Sequence, residues 1–282
     1  MATTTVTVAS RSARKRRPAS AGSLTPASGL GLGVAMIWFS LLVLIPLSAI
    51  IVKAAGGGLS TFVDVFTNDN TRSALVLTVV SSLIITAINM VMGTIIAWVL
   101  VRDRFPGKAL LDLVIDIPFA MPTIVAGLVL LSLYGPESPI GVEVSSTRWA
   151  VLLAIAFVTL PFVVRTVQPV LEELETDVED AAASLGATRF TTFRRVILPS
   201  LTPAIAAGAA LSFARGISEY GSLVLLSGNL PGRTEVASVR VLTYIENGSK
   251  ESAAAVAAIL LLVALLVIVA LDILQRRLAR RG

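Results

Sequence analysis

Six stretches of this chain stay apolar for about 20 residues or more, and no other feature restricts its fold so strongly. They run over residues 31–52, 74–101, 110–134, 149–170, 202–226 and 253–273. A hydrocarbon layer about 30 Å thick is crossed by about 20 residues of helix, so each stretch is long enough to span it. The second and third have length to spare for tilt. Backbone in lipid must satisfy its own hydrogen bonds, which leaves helices and closed barrels. The period-2 alternation of barrel strands is absent. The sequence therefore predicts an all-α membrane protein with six transmembrane helices.

Composition agrees. Hydrophobic residues make up 55% of the chain and charged residues 15%, where a soluble domain carries about 25% charge. There is no Cys and no His. Disulfides, thiolate or imidazole metal sites, Ser-His-Asp triads and Cys-His dyads are all excluded. No catalytic residue and no metal ligand set is expected. The net charge of +5 does not indicate nucleic acid, because the basic residues flank apolar runs and form no continuous stripe.

Lys and Arg set the orientation. One side collects Arg11, Arg14, Lys15, Arg16, Arg17, then Arg102, Arg104, Lys108, then Arg189, Arg194, Arg195, and finally Arg276, Arg277, Arg280 and Arg281. The other side holds Lys53, Arg72, Arg148, Arg233, Arg240 and Lys250. The richer side is the cytoplasm, so both termini are placed there. Residues 1–28, rich in Ser, Thr, Ala and basic residues, read as a disordered basic cytoplasmic tail. The first apolar run exceeds a signal-peptide core, and Ile51-Val52-Lys53-Ala54 offers no small-x-small cleavage site, so an uncleaved helix is expected. Residues 29–73 hold the first transmembrane helix and its external loop, 74–275 the transmembrane core, and 276–282 a basic cytoplasmic tail. The glycines at 56–58 read as a flexible turn.

Residues 171–199 form the longest cytoplasmic connection. Leu171, Leu174, Val178, Ala181/Ala182 and Leu185 recur every three or four residues, the spacing of an amphipathic helix. Six acids between Glu172 and Asp180 sit where they complement the helix dipole. Gly186 is placed to take positive φ and end the helix. A second short piece follows, with Phe190, Phe193 and Ile197 on one side and Arg189, Arg194 and Arg195 around it; Pro199 closes it before the fifth span. Two short helices meeting at a glycine make a compact cytoplasmic knob.

Asp180-Ala181-Ala182, three residues, Gly186, nine residues, Val196, one residue, Leu198-Pro199 closely resembles the cytoplasmic loop motif of ABC importer permeases. The usual form is Glu-Ala-Ala, three residues, Gly, nine residues, Ile, one residue, Leu-Pro. Asp180 and Val196 depart from it and keep charge or apolar character, and Glu179 lies beside Asp180. The resemblance covers residues 74–273 and implies the type I importer permease core. It implies that the knob is a coupling helix, seated in a groove of a cytoplasmic ATPase subunit. It also implies the partners: a second homologous permease subunit, two ATPase subunits that bind Mg-ATP, and an extracytoplasmic binding protein. This chain itself would carry no cofactor.

Further along, Ala214-Arg215-Gly216-Ile217-Ser218-Glu219-Tyr220-Gly221-Ser222 and Gly228-Asn229-Leu230-Pro231 resemble the sulfate/thiosulfate branch, in the first of its two permease types. The segments 116–122 and 160–166 fit the same branch. Molybdate permeases are similar here but more often carry Phe-Gly-Ala in place of Tyr220-Gly221-Ser222. The resemblance therefore implies sulfate or thiosulfate import across a bacterial cytoplasmic membrane, with another oxyanion as the alternative and a sulfate-binding protein as the external partner.

Ionisable residues inside a span are functional candidates because their burial is costly. Arg215 and Glu219, four apart on the fifth span, read either as a structural ion pair or as a translocation site in which Arg215 meets the oxyanion and Glu219 moderates its grip. Arg165 reads as snorkelling to the cytoplasmic interface, and Asp112 and Asp116 as helix-end or interhelical bonding groups. Prolines 118, 122, 161, 169 and 203 should kink their spans. Residues 228–234 faintly resemble a phosphate loop, but one residue is missing and no strand precedes it, so ATP binding by this chain is not expected. Asn247-Gly248-Ser249 matches a glycosylation acceptor by chance. A self-contained secondary transporter should carry matching half-repeats, and no second copy of the 171–199 pattern exists. An intramembrane enzyme would need a Ser/Lys or carboxylate site, yet Lys53, Lys108 and Lys250 all fall in loops.

Overall fold

The structure, a computed structural model, describes residues 26–174 and 176–279. Every regular element among them is helical. Five helical runs are long and apolar enough to cross a membrane, and a bent pair adds a sixth. The chain divides into residues 1–48 and 49–282. In the first part α1 (Pro26–Phe39) passes through a π-helical turn, Ser40–Leu44, into α2 (Ile45–Gly56). The apolar run is exposed all round, as a lipid-facing helix is. Residues 1–25 and 280–282, most of the first expected tail and the end of the second, lie outside the described residues.

The second part packs α4 (Asp69–Arg102), α7 (Arg148–Glu173) and α10 (Leu198–Ile217) against one another. Asn68 caps α4 by accepting from the Thr71 N–H at 3.0 Å. The polarity of α4 is inverted relative to a soluble helix. Thr78, Ser81, Ser82, Thr86 and Asn89 are buried, and Val76, Val80, Ile84, Ile88 and Met92 face outward at every fourth position. Asn89 donates to Thr159 Oγ1 of α7 at 2.8 Å and to Ser212 Oγ of α10 at 3.3 Å, tying all three helices at mid-depth. Close approach depends on small residues: a Cβ on Gly93 would lie 2.8 Å from that of Val163.

The third span is a correction. The expected continuous helix over 110–134 is two helices, α5 (Lys108–Ala120) and α6 (Thr123–Tyr134), with a 118° bend between them. Met121 precedes Pro122 and so avoids the helical region; its φ −98°, ψ 139° ends α5. The pair still crosses once. Arg102, at the end of α4, bonds the carbonyl of Leu174 just past α7, so the two helices run parallel. The chain between them must therefore change sides. Ile115 of α5 joins the buried cluster of Leu100, Val167 and Leu171, while Leu130 of α6 joins that of Ala150 and Val151 at the opposite end.

The fifth span departs in the same way. The expected helix over 202–226 stops at Ile217 and resumes as α11 (Gly221–Leu226). At its start, Pro199 does not close the preceding piece. Helix runs unbroken from Arg189 to Ile217 through a π-helical turn, Phe193–Ile197. The two π-helical turns share a cause: each ends two residues before a proline, Pro46 or Pro199. The carbonyl four residues before the proline then lies inside the widened turn, where the pyrrolidine ring no longer meets it.

Short helices occupy two loops. Gly58, at φ 70°, opens α3 (Gly58–Thr67), whose Val65 is buried against Leu75, Ala255 and Val256. Between the fifth and sixth spans α12 (Ala237–Glu246) docks on the start of α4; Ala237 N–H donates to Thr78 Oγ1 at 2.9 Å. The last span, α13 (Lys250–Ala279), runs beyond residue 275 and carries an Asp272–Arg276 pair at 2.9 Å.

Candidate coupling knob and translocation path

The knob begins with α8 (Thr176–Ser184). Glu175 and the side chains of residues 176–179, which include most of the expected acidic face, lie outside the described residues. Gly186 has φ 83°; its N–H bonds the Ala183 carbonyl at 2.9 Å, and the Ala187 N–H bonds that of Ala182 at 3.0 Å. These two bonds make a Schellman cap, which needs a left-handed residue at this point. A Cβ on Gly186 would meet nothing, so only its backbone conformation demands glycine. Thr188 then caps α9 (Arg189–Thr192) through the Thr191 N–H.

The knob is apolar at its tip and anchored at its base. Leu185 and Phe190 are 89% and 70% exposed. Phe190 therefore leaves the face expected for it, while Phe193 and Ile197 keep theirs. Phe193 packs edge-to-face on Trp98 of α4 at 5.6 Å, and Ile197 is buried beside Leu100, Leu171 and Leu201. Asp180 is exposed, Ala182 and Val196 are half-buried, and Leu198 and Pro199 lead into α10.

Arg215 lies in the last turn of α10, and Glu219 lies in the break beyond it, not on the same helix face. Their side chains meet at 2.7 Å, Arg215 Nη2 to Glu219 Oε2, with the N–H directed off the oxygen. Glu219 is fully buried, and its Oε1 accepts from both the N–H and the hydroxyl of Ser222, at 2.9 Å each. The carboxylate thus caps α11 as well as neutralising Arg215. Arg215 itself keeps a 28% exposed side chain. The two breaks touch: a Cβ on Gly221 would lie 2.8 Å from the Ile124 amide nitrogen, and one on Gly127 equally close to Ser222.

Arg165 does not snorkel. It donates through Nε to Asp116 and through Nη1 to Asp112, both at 2.7 Å, and through Nη2 to the Asp112 carbonyl at 2.9 Å. Gln168 adds a fourth bond at 2.6 Å. Asp112 and Asp116 lie one turn apart on α5, so the guanidinium fork bridges both and joins α5 to α7.

Residues 228–234 close on themselves: the Leu230 carbonyl accepts from the N–H groups of Arg233, Thr234 and Glu235. Beyond that turn, burial pushes the Glu235 carboxyl above the ordinary range. Arg240, 3.7 Å away, and the Thr243 hydroxyl pull it back only in part. Among the described residues no three acids are grouped to hold a metal.

Residues 89–281 match the family described as the binding-protein-dependent transport system inner membrane component. The sulfate transport system permease protein CysT of Salmonella typhimurium is 39% identical over 263 residues, covering 91% of this chain and 95% of that one. Its namesake from Synechocystis is 43% identical over 250 residues, with 86% and 87% covered. Among solved structures, a bacterial ABC transporter that imports the acidic polysaccharide alginate superimposes with a TM-score of 0.71 at 17% identity. That likeness, over 88% of this chain and 94% of the other, is one of fold. With its six crossings, its two broken spans and its capped knob, the chain belongs to the binding-protein-dependent inner-membrane transport family, the type I permeases of ABC importers.

Proposed function

We propose that this chain is the membrane-spanning subunit of an ATP-driven sulfate/thiosulfate importer in a bacterial cytoplasmic membrane, with both termini in the cytoplasm. The similarity to sulfate permeases along nearly the whole chain supports the substrate. The transporter comprises this chain, a second homologous permease, two ATPase subunits that bind and hydrolyse Mg-ATP, and an extracytoplasmic sulfate-binding protein. A solved relative in complex with a substrate-loaded periplasmic protein supports the last of these.

The single observation behind the mechanism is the unbroken 29-residue helix from Arg189 to Ile217. It starts in the knob and ends beside the Arg215–Glu219 break. Closure of the ATPase pair moves the apolar tip at Leu185 and Phe190. The buried base at Phe193 and Ile197 transmits that movement to α4, α7 and α10 together. The two adjoining breaks, where backbone already departs from helix, absorb the rearrangement. Arg215, held by Glu219 yet still partly open, offers the dianion a cation of moderated strength.

The test is to purify the chain with its co-encoded neighbours and measure ATP hydrolysis with the loaded binding protein. Sulfate and thiosulfate should stimulate it. Stimulation by molybdate alone would overturn the substrate.

A further inference from the structure

We propose that the face of α5 bearing Asp112 and Asp116 is where the second permease subunit packs, and that this subunit brings a basic side chain to it. The inference rests on the two-permease reading above and assigns that contact to particular residues. Arg165 satisfies only one oxygen of each carboxylate; both Oδ2 atoms have no partner among the described residues. Two carboxylates against one guanidinium leave a net charge of −1, and the side chains of Asp112 and Asp116 are 45% and 48% exposed.

That exposure cannot face lipid. Arg165 lies eight residues, about 12 Å of helix rise, inside the Glu173 end of α7. A helix of 26 residues overruns a hydrocarbon layer of about 30 Å by only a few ångströms at each end. The clamp therefore sits inside the hydrocarbon layer, where a lipid-facing carboxylate is disfavoured. Leu113 and Ile117 lie one position along from the two acids and are 65% and 40% exposed. An acidic stripe with unused acceptors beside an apolar stripe fits a helix that carries one Lys or Arg among apolar residues. It does not fit a lipid, and a dianion in transit would be repelled.

The chain has no cysteine of its own, so Leu113→Cys and Ile117→Cys each create a unique thiol here without disturbing the clamp. The purified full complex in lipid nanodiscs is modified at these thiols with a photoreactive maleimide and irradiated; Leu266→Cys on exposed α13 is the control. Covalent linkage to the second permease from residues 113 and 117, but not from 266, is expected. Both thiols should also resist a membrane-impermeant maleimide in the complex. Rapid labelling by that reagent would mean a water-lined face, and linkage to lipid alone an exposed one; either overturns the inference. Asp116→Asn should lose second-permease retention during purification, and Asp116→Glu should keep it. If the wild-type complex contains no second permease at all, the two-permease reading itself fails. If it contains one that the thiols do not reach, only this contact fails.

Discussion

Arg102 donates from Nη2 to the carbonyl of Leu174 over 3.0 Å, joining the ends of α4 and α7. Two parallel helices require the intervening chain to cross, and that requirement separates a broken span from a hairpin that returns to its own side. Reporter fusions after Asp103 and Gly186 should therefore read the same side, the cytoplasm, and fusions after Ser138 and Gly232 the other. An external signal at Gly186 would contradict both the topology and the coupling role.

Gly186→Val forces a β-branched residue to φ near 83° with no accompanying clash. The local cost is about 1–2 kcal/mol. The variant should insert and assemble, yet lose substrate-stimulated ATP hydrolysis. Gly186→Asn should retain more of it, because Asn tolerates the left-handed region better. Unchanged stimulation in the Val variant would show that the cap is not needed for coupling.

Arg215 and Glu219 separate a structural pair from a working one. Removing Arg215 leaves the buried Glu219 uncompensated, at a cost of about 3–5 kcal/mol in comparable pairs, and removing Glu219 leaves a partly exposed Arg215 at a smaller cost. Arg215→Gln and Glu219→Gln should each lower the amount of assembled complex, and the double variant should recover much of it. Uptake per assembled complex should be lost in every variant that lacks Arg215. Wild-type uptake per complex in Arg215→Gln would confine the pair to structure.

Glu235 supplies a pH dependence with a definite sign. Its carboxyl titrates above the ordinary range when folded, so the fold binds this proton more tightly than the unfolded chain does. The resulting stability is fully present below the ordinary carboxylate range and is lost as pH rises through the raised value. Glu235→Gln, which mimics the neutral form, should flatten that part of the profile and leave the protein at least as stable at neutral pH. Thermal unfolding of detergent-solubilised complex across pH measures this. A variant that loses stability as pH rises just as the wild type does would contradict it.

Much of this was legible in the sequence, for identifiable reasons. Gly186 could be read because a glycine that ends an amphipathic pattern has few other roles. Pro122 could be read as a kink, but not as a break. The outcome there depended on Met121, which a proline neighbour excludes from the helical region, and on α11 packing into the gap. Hydropathy averaged over a whole span could not tell that α10 stops at Ile217, because the apolar runs on either side outweigh the polar residues 215–222. The clamp was half visible: Asp112 and Asp116 carried the spacing for interhelical bonding, and Arg165 carried none that pointed to them. Helices α3 and α12 were hidden by brevity, since ten residues in a loop give too few turns for a periodic signal. The buried row from Thr78 to Asn89 was masked because Ser and Thr barely lower the mean hydropathy of a 34-residue span.

The central claim is that ATP-driven movement of the knob carries sulfate through this chain. The direct measurement is uptake of labelled sulfate by proteoliposomes holding the complete complex, with the loaded binding protein outside and Mg-ATP inside. Accumulation above the external concentration, abolished when ATP is replaced by a non-hydrolysable analogue and absent with Gly186→Val, is the predicted result. Uptake that proceeds unchanged without ATP hydrolysis would contradict the account.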